Sequence, residues 1–76
     1  MKKAEYLAEL QDVLQRDEPV CETDVLNDYE EWDSLSKMAV MAFYDKVFGV
    51  KLSLTDMKSL HTVKELMDKA EGKIEE

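Results

Sequence analysis

Ser34 stands in the run Glu31-Trp32-Asp33-Ser34-Leu35-Ser36, where a long acidic segment gives way to an apolar, periodic one. A helix that starts here can be capped by Asp33 or Ser34, either of which can accept a free backbone N–H. The amides of a helix N-terminus are unbonded and carry partial positive charge. They favour a phosphate-bearing group on a hydroxyl beside them. Nucleophilic catalysis needs a neighbouring general base and an oxyanion site. The only histidine, His61, lies far along the chain, and the adjacent carboxylates oppose negative charge on the serine oxygen. The strand–turn–helix context of a nucleophile elbow is missing. Hydrolysis is a poor reading of Ser34; an exposed hydroxyl at a corner, within reach of a modifying enzyme, is a better one.

The elements that must position this corner are helical. Four segments carry three- and four-residue apolar periodicity and none alternates as a strand does. The first spans residues 3–16, with Tyr6, Leu7, Leu10, Val13 and Leu14 on one stripe, and is ended by Asp17 and Pro19. The second spans 34–48 and is closed by Gly49, with Val50 folding back on its last turn. Its interior, Met38 to Tyr44, is apolar all round, so it must bury more than one face or offer one to a partner. A short third helix spans 54–60, with Ser53 and Asp56 as a capping box. The fourth spans 63–73, capped by Thr62 and Glu65, with Val63, Leu66, Met67 and Ala70 inward and the last residues mobile. The expected fold is an all-α four-helix bundle, a single domain over residues 1–76. The connection 17–33 exceeds the usual loop length of roughly 12–15 residues, and Val20, Val25, Leu26, Tyr29 and Trp32 are its expected anchors.

Charge and cysteine usage narrow the function. The net charge is −8, and eight of the 18 acidic residues lie between Asp17 and Asp33, a stretch without Lys or Arg. The remaining ten acids are balanced by ten bases. An acidic patch of this kind steers basic partners and repels nucleic acid; its plain alternative is a solvated loop. One cysteine, Cys21, and one histidine provide no zinc set and no internal disulfide, so no metal is expected and Cys21 is read as a partly buried apolar residue. A calcium loop is disfavoured because 17–33 lacks the required alternation of acids, central glycine and terminal glutamate. No apolar run reaches membrane-spanning length and no signal peptide is evident. The expectation is a cytoplasmic monomer without membrane or nucleic-acid partners. A chain of 76 residues has little room for a core and an enclosed cleft together, so a binding or carrying role is favoured over an enzyme.

Asp33-Ser34-Leu35 resembles the Asp-Ser-Leu motif of acyl carrier proteins. Phe48-Gly49-Val50-Lys51-Leu52 resembles the segment that ends that family's second helix, and His61-Thr62-Val63 the step that opens its last. The resemblance extends from about Leu7 to Leu66. It implies a four-helix bundle of the acyl-carrier type, with a long loop between the first two helices. It also implies a 4′-phosphopantetheine arm on Ser34, with Asp33 shaping the corner and helping a phosphopantetheinyl transferase to dock. Leu35, Met38 and Ala42 would face the transferase and the enzymes that load and use the acyl or aminoacyl group. Positions 35, 38 and 42 do share one helical side, although core packing is an equal reading of Met38 and Ala42. Family members of fatty acid synthesis often have a strongly acidic second helix. Here Asp45 stands against Lys37 and Lys46, which points to a specialised biosynthetic pathway, polyketide or other. Two further expectations are that the apolar run shelters an acyl chain between helices, and, as the rival from another class, that the chain is an acidic interaction module in which Ser34 is only a cap.

Overall fold

The computed structural model describes residues 1–75. Four helices follow one another: α1 (Lys3–Leu14), α2 (Ser34–Phe48), α3 (Leu54–Lys58) and α4 (Val63–Asp68). No strand occurs among the described residues; two isolated bridges, Lys2 with Glu75 and Val25 with Thr62, are the only β-type pairings there. The architecture is an all-α bundle, with α1 and α3 both packed on α2.

Each helix buries one stripe. On α1 the stripe is Tyr6, Leu10 and Leu14, and on α2 it is Val40, Tyr44 and Phe48; both recur every four residues, one face of a helix. Val63, Leu66 and Met67 of α4 and Met57 of α3 complete the core. Full burial of each such side chain contributes about 1.5–3 kcal/mol. The four aromatic rings of Tyr6, Phe43, Tyr44 and Phe48 pack mutually, and Tyr44 and Phe48 meet near-perpendicular at 5.0 Å.

Helix ends follow side-chain chemistry closely at three of the four starts. Asp33, Ser53 and Thr62 each cap through a reciprocal box with Ser36, Asp56 and Glu65. Gly49 is left-handed (φ 68°), and the Val50 amide turns back to the Tyr44 carbonyl at 3.2 Å. The stops of α1 and α4 come earlier than periodicity suggests. Gln15 adopts the left-handed conformation (φ 56°) and ends α1 before Asp17 and Pro19 are reached. It is held there because Gln11 donates to the Arg16 carbonyl while the Arg16 amide returns to Gln11. Beyond Asp68 the amides of residues 69–71 bond three residues back, and Glu71 and Gly72 then take positive φ. The chain reverses there, so α4 stops at Asp68 instead of Lys73. α3 likewise stops at Lys58, where Ser59 bonds back to Asp56.

The last described residues are pinned by hydrogen bonds. Glu75 exchanges backbone bonds with Met1 and Lys3 at 2.7 and 2.6 Å, and the Lys73 ammonium caps the Phe48 carbonyl at 2.7 Å. In the 17–33 connection Val20, Leu26, Tyr29 and Trp32 are buried as anchors. Val25 is not one of them: its side chain is exposed, and backbone bonds tie that stretch down instead. The Leu26 amide donates to His61, and the Val63 and Lys64 amides donate to Asp24 and Glu22. Cys21 is exposed rather than partly buried, because a turn closed by Asp24 turns it outward.

Candidate functional site

Asp33 and Ser36 cap α2 between them. Asp33 Oδ1 accepts the Ser36 amide at 2.9 Å, and Ser36 Oγ accepts the Asp33 amide at 2.9 Å while donating to the Asp33 carbonyl. The cap leaves Ser34 at the first helical position, exposed, its hydroxyl bonded to no group among the described residues. The Ser34 and Leu35 amides have no carbonyl one turn earlier to bond. Lys37, three positions on, places its ammonium 5.6 Å from the centre of the Trp32 ring. A phosphodiester on Ser34 fits the free amides of the helix N-terminus. No base is hydrogen-bonded to Ser34, and His61 lies instead beside Glu65, 3.6 Å from it.

The residues expected to face partners lie in the open. Leu35 is 79% exposed and Met38 57%, and Ala42 is exposed as well. Core packing is therefore not the role of Met38 or Ala42. The stripe contains one residue not singled out from the sequence: Ala39, also exposed, one turn after Leu35 and recoverable from the four-residue step. Val40, Tyr44 and Phe48 occupy the opposite face, so α2 resolves its all-apolar run by burying one side and exposing another.

Beside this stripe is a groove of about 360 Å³ between the end of α1 and the start of α2, lined by Val13, Leu14, Asp33, Leu35, Ser36 and Ala39 among others. Sequence reading missed it because it depends on where α1 stops; the left-handed Gln15 lines it, and no local signal marks that residue.

The acidic segment divides into structural and free carboxylates. Asp24 accepts from the Tyr29 hydroxyl at 2.6 Å. Glu22 pairs with Lys3, and Glu31 pairs with Arg16 at 2.9 Å. Arg16 also lies 3.9 Å over the Tyr29 ring, which clamps the loop to the end of α1. A backbone amide and the Arg16 guanidinium hold the Glu31 carboxyl below its ordinary range. Asp17, Asp28 and Glu30 remain exposed without an ion-pair partner among the described residues, and Glu18, also exposed, pairs with Arg16 at 3.2 Å. These form the acidic surface that precedes Ser34. Among the described residues, no three His, Cys, Asp or Glu side chains converge as a metal site, and no helix is long and apolar enough to cross a membrane.

Comparison with protein-family models, curated proteins and solved structures finds no match for this chain. The class defined by fold and site together is a small all-α bundle with an exposed serine at a helix start.

Proposed function

We propose that the chain is an acyl carrier protein, holding its cargo as a thioester on a 4′-phosphopantetheine arm attached to Ser34. The observation that carries this reading is the division of labour in the first turn of α2. Asp33 and Ser36 satisfy the cap, and Ser34 is left exposed and unengaged beside an uncovered apolar stripe. In a transferase that holds Mg²⁺, the serine oxygen would attack the pantetheine-bearing phosphorus of coenzyme A. The pyrophosphate bond would break, 3′,5′-adenosine bisphosphate would leave, and the serine proton would pass to a base of the transferase or to solvent. The arm's thiol would then take an acyl or aminoacyl group. Tethering raises the effective concentration of that group at a docked enzyme. Leu35, Met38 and Ala42 would meet partners, and the free carboxylates of the preceding loop would attract basic ones. The chain itself would catalyse nothing. The modest charge on α2 favours a specialised biosynthetic pathway in the cytoplasm; rescue of a cell lacking its principal fatty acid carrier would contradict that.

The test is intact mass after incubation with coenzyme A, Mg²⁺ and a promiscuous phosphopantetheinyl transferase, beside Ser34→Ala. A gain of one phosphopantetheinyl unit in the parent alone supports the carrier. The exposed Leu35–Met38 stripe also suits an interaction module with no prosthetic group. That reading gains if the folded parent stays unmodified while a known carrier in the same tube is modified.

A further inference from the structure

A hydrogen-bonded line crosses the interior from α1 through α2 to α4. The Tyr44 hydroxyl donates to the Leu66 carbonyl at 2.6 Å and lies 2.5 Å from the Tyr6 hydroxyl. A phenol has one proton, so Tyr6 is the donor in the second contact. Both residues are fully buried. Phe43 and Phe48 flank the pair, with ring centres 5.0–6.2 Å from the two tyrosines. An interior packed in this way has little slack.

An aliphatic chain sliding between α2 and α4 would part Tyr44 from Leu66 and leave a phenol proton without an acceptor. A hydrocarbon offers none, so the loss is uncompensated. Reach is not the obstacle: Tyr44 lies ten positions past Ser34, about 15 Å along α2, within range of a long chain on a flexible arm.

We propose that this bundle is closed to long aliphatic chains, and that its cargo on Ser34 is a short or polar acyl group, aminoacyl included, held outside. The proposal rests on the carrier reading for the word cargo, and reverses the expectation that α2 shelters a chain. Closure itself can be tested without a transferase. In a Cys21→Ser background, Ser34→Cys is alkylated with N-ethyl- or N-dodecyl-iodoacetamide. The two adducts are expected to melt within about 1 °C of each other, with unchanged amide shifts at Tyr44 and Leu66. A dodecyl adduct several degrees more stable, with those shifts moved, overturns closure.

In parallel, the parent is loaded from acetyl- and octanoyl-coenzyme A. Thioester hydrolysis within about twofold for the two supports the proposal, and octanoyl protection of fivefold or more overturns it. Failure of loading with equal alkyl adducts rejects the carrier and leaves closure standing. Opening the line supplies the positive control: Tyr44→Leu is expected to introduce chain-length dependence in the alkyl series, and its absence in a folded Tyr44→Leu variant argues that the tyrosines are not what closes the core.

Discussion

Asp33 and Ser36 exchange side-chain-to-amide hydrogen bonds of 2.9 Å in each direction across the first turn of α2, with Ser34 enclosed by the exchange but taking no part in it. Neighbouring residues therefore separate into a pair that holds the helix start and one, Ser34, that is left free of it. Asp33→Ala is expected to cost about 1 kcal/mol, the usual loss of a cap, and to lower Tm by roughly 4–8 °C. Ser34→Ala should leave Tm within about 2 °C of the parent. Thermal melts of the two variants side by side check this; equal losses would mean that Ser34 helps to hold the helix.

The exposed stripe should be dispensable for folding and needed for docking. Leu35→Ala and Met38→Ala are expected to change stability by less than about 0.5 kcal/mol, as exposed positions do. Transferase kcat/KM should fall by about fivefold or more, matching a loss of roughly 1 kcal/mol at a contact that matters. Unchanged kcat/KM for both would move the docking face elsewhere.

Tyr44→Phe removes the donor to Leu66 and the acceptor of the Tyr6 proton. The stranded Tyr6 hydroxyl is expected to cost about 1–3 kcal/mol. Tyr6→Phe leaves Tyr44 bonded to Leu66 and should cost less, about 1 kcal/mol. With both phenols gone no orphan proton remains, so the double variant should lose less than the two single losses added together. Denaturant unfolding of the four proteins measures that shortfall.

Acid should weaken the α4 cap in a defined direction. The Thr62 and His61 amides hold the Glu65 carboxyl below its ordinary value. A depressed folded pKa means that the stabilisation is complete above the unfolded value, about 4.3, and is lost as pH falls through the folded one. The parent's advantage over Glu65→Gln should thus shrink as pH falls below about 5. Comparing the two proteins cancels the repulsion that acid relieves elsewhere; an advantage that grows as pH falls below about 5 would refute the assignment.

Features governed by short stretches of chain were legible in the sequence. Residues 34–48 are the helix expected, since Asp33 and Gly49 mark both ends locally. Ser53 and Thr62 cap as their spacing to Asp56 and Glu65 requires. What the sequence did not disclose depends on partners far along the chain. Gln15 has no side-chain signature of a left-handed stop. The reversal after Asp68 is fixed by Glu75 meeting Lys3 and by Lys73 reaching Phe48. Tyr6 reads as an apolar stripe position and Tyr44 as the end of a run apolar all round, and only their approach across α1 and α2 makes their hydroxyls a pair. At the candidate site spacing put Leu35, Met38 and Ala42 on one helical side but left core packing an equal reading of Met38 and Ala42; their exposure and the groove beside them needed the positions of the other helices.

Trp32 is the only tryptophan in the chain, 8% exposed, two positions before Ser34, with Lys37 over its ring. Its indole is therefore a built-in fluorophore at the corner where an arm would be attached. Emission from that single ring follows changes in polarity and in the nearby ammonium without any added dye. Titrating a tryptophan-free partner into this protein would read engagement at the Ser34 corner as a wavelength shift, while binding at a remote face would leave the spectrum still.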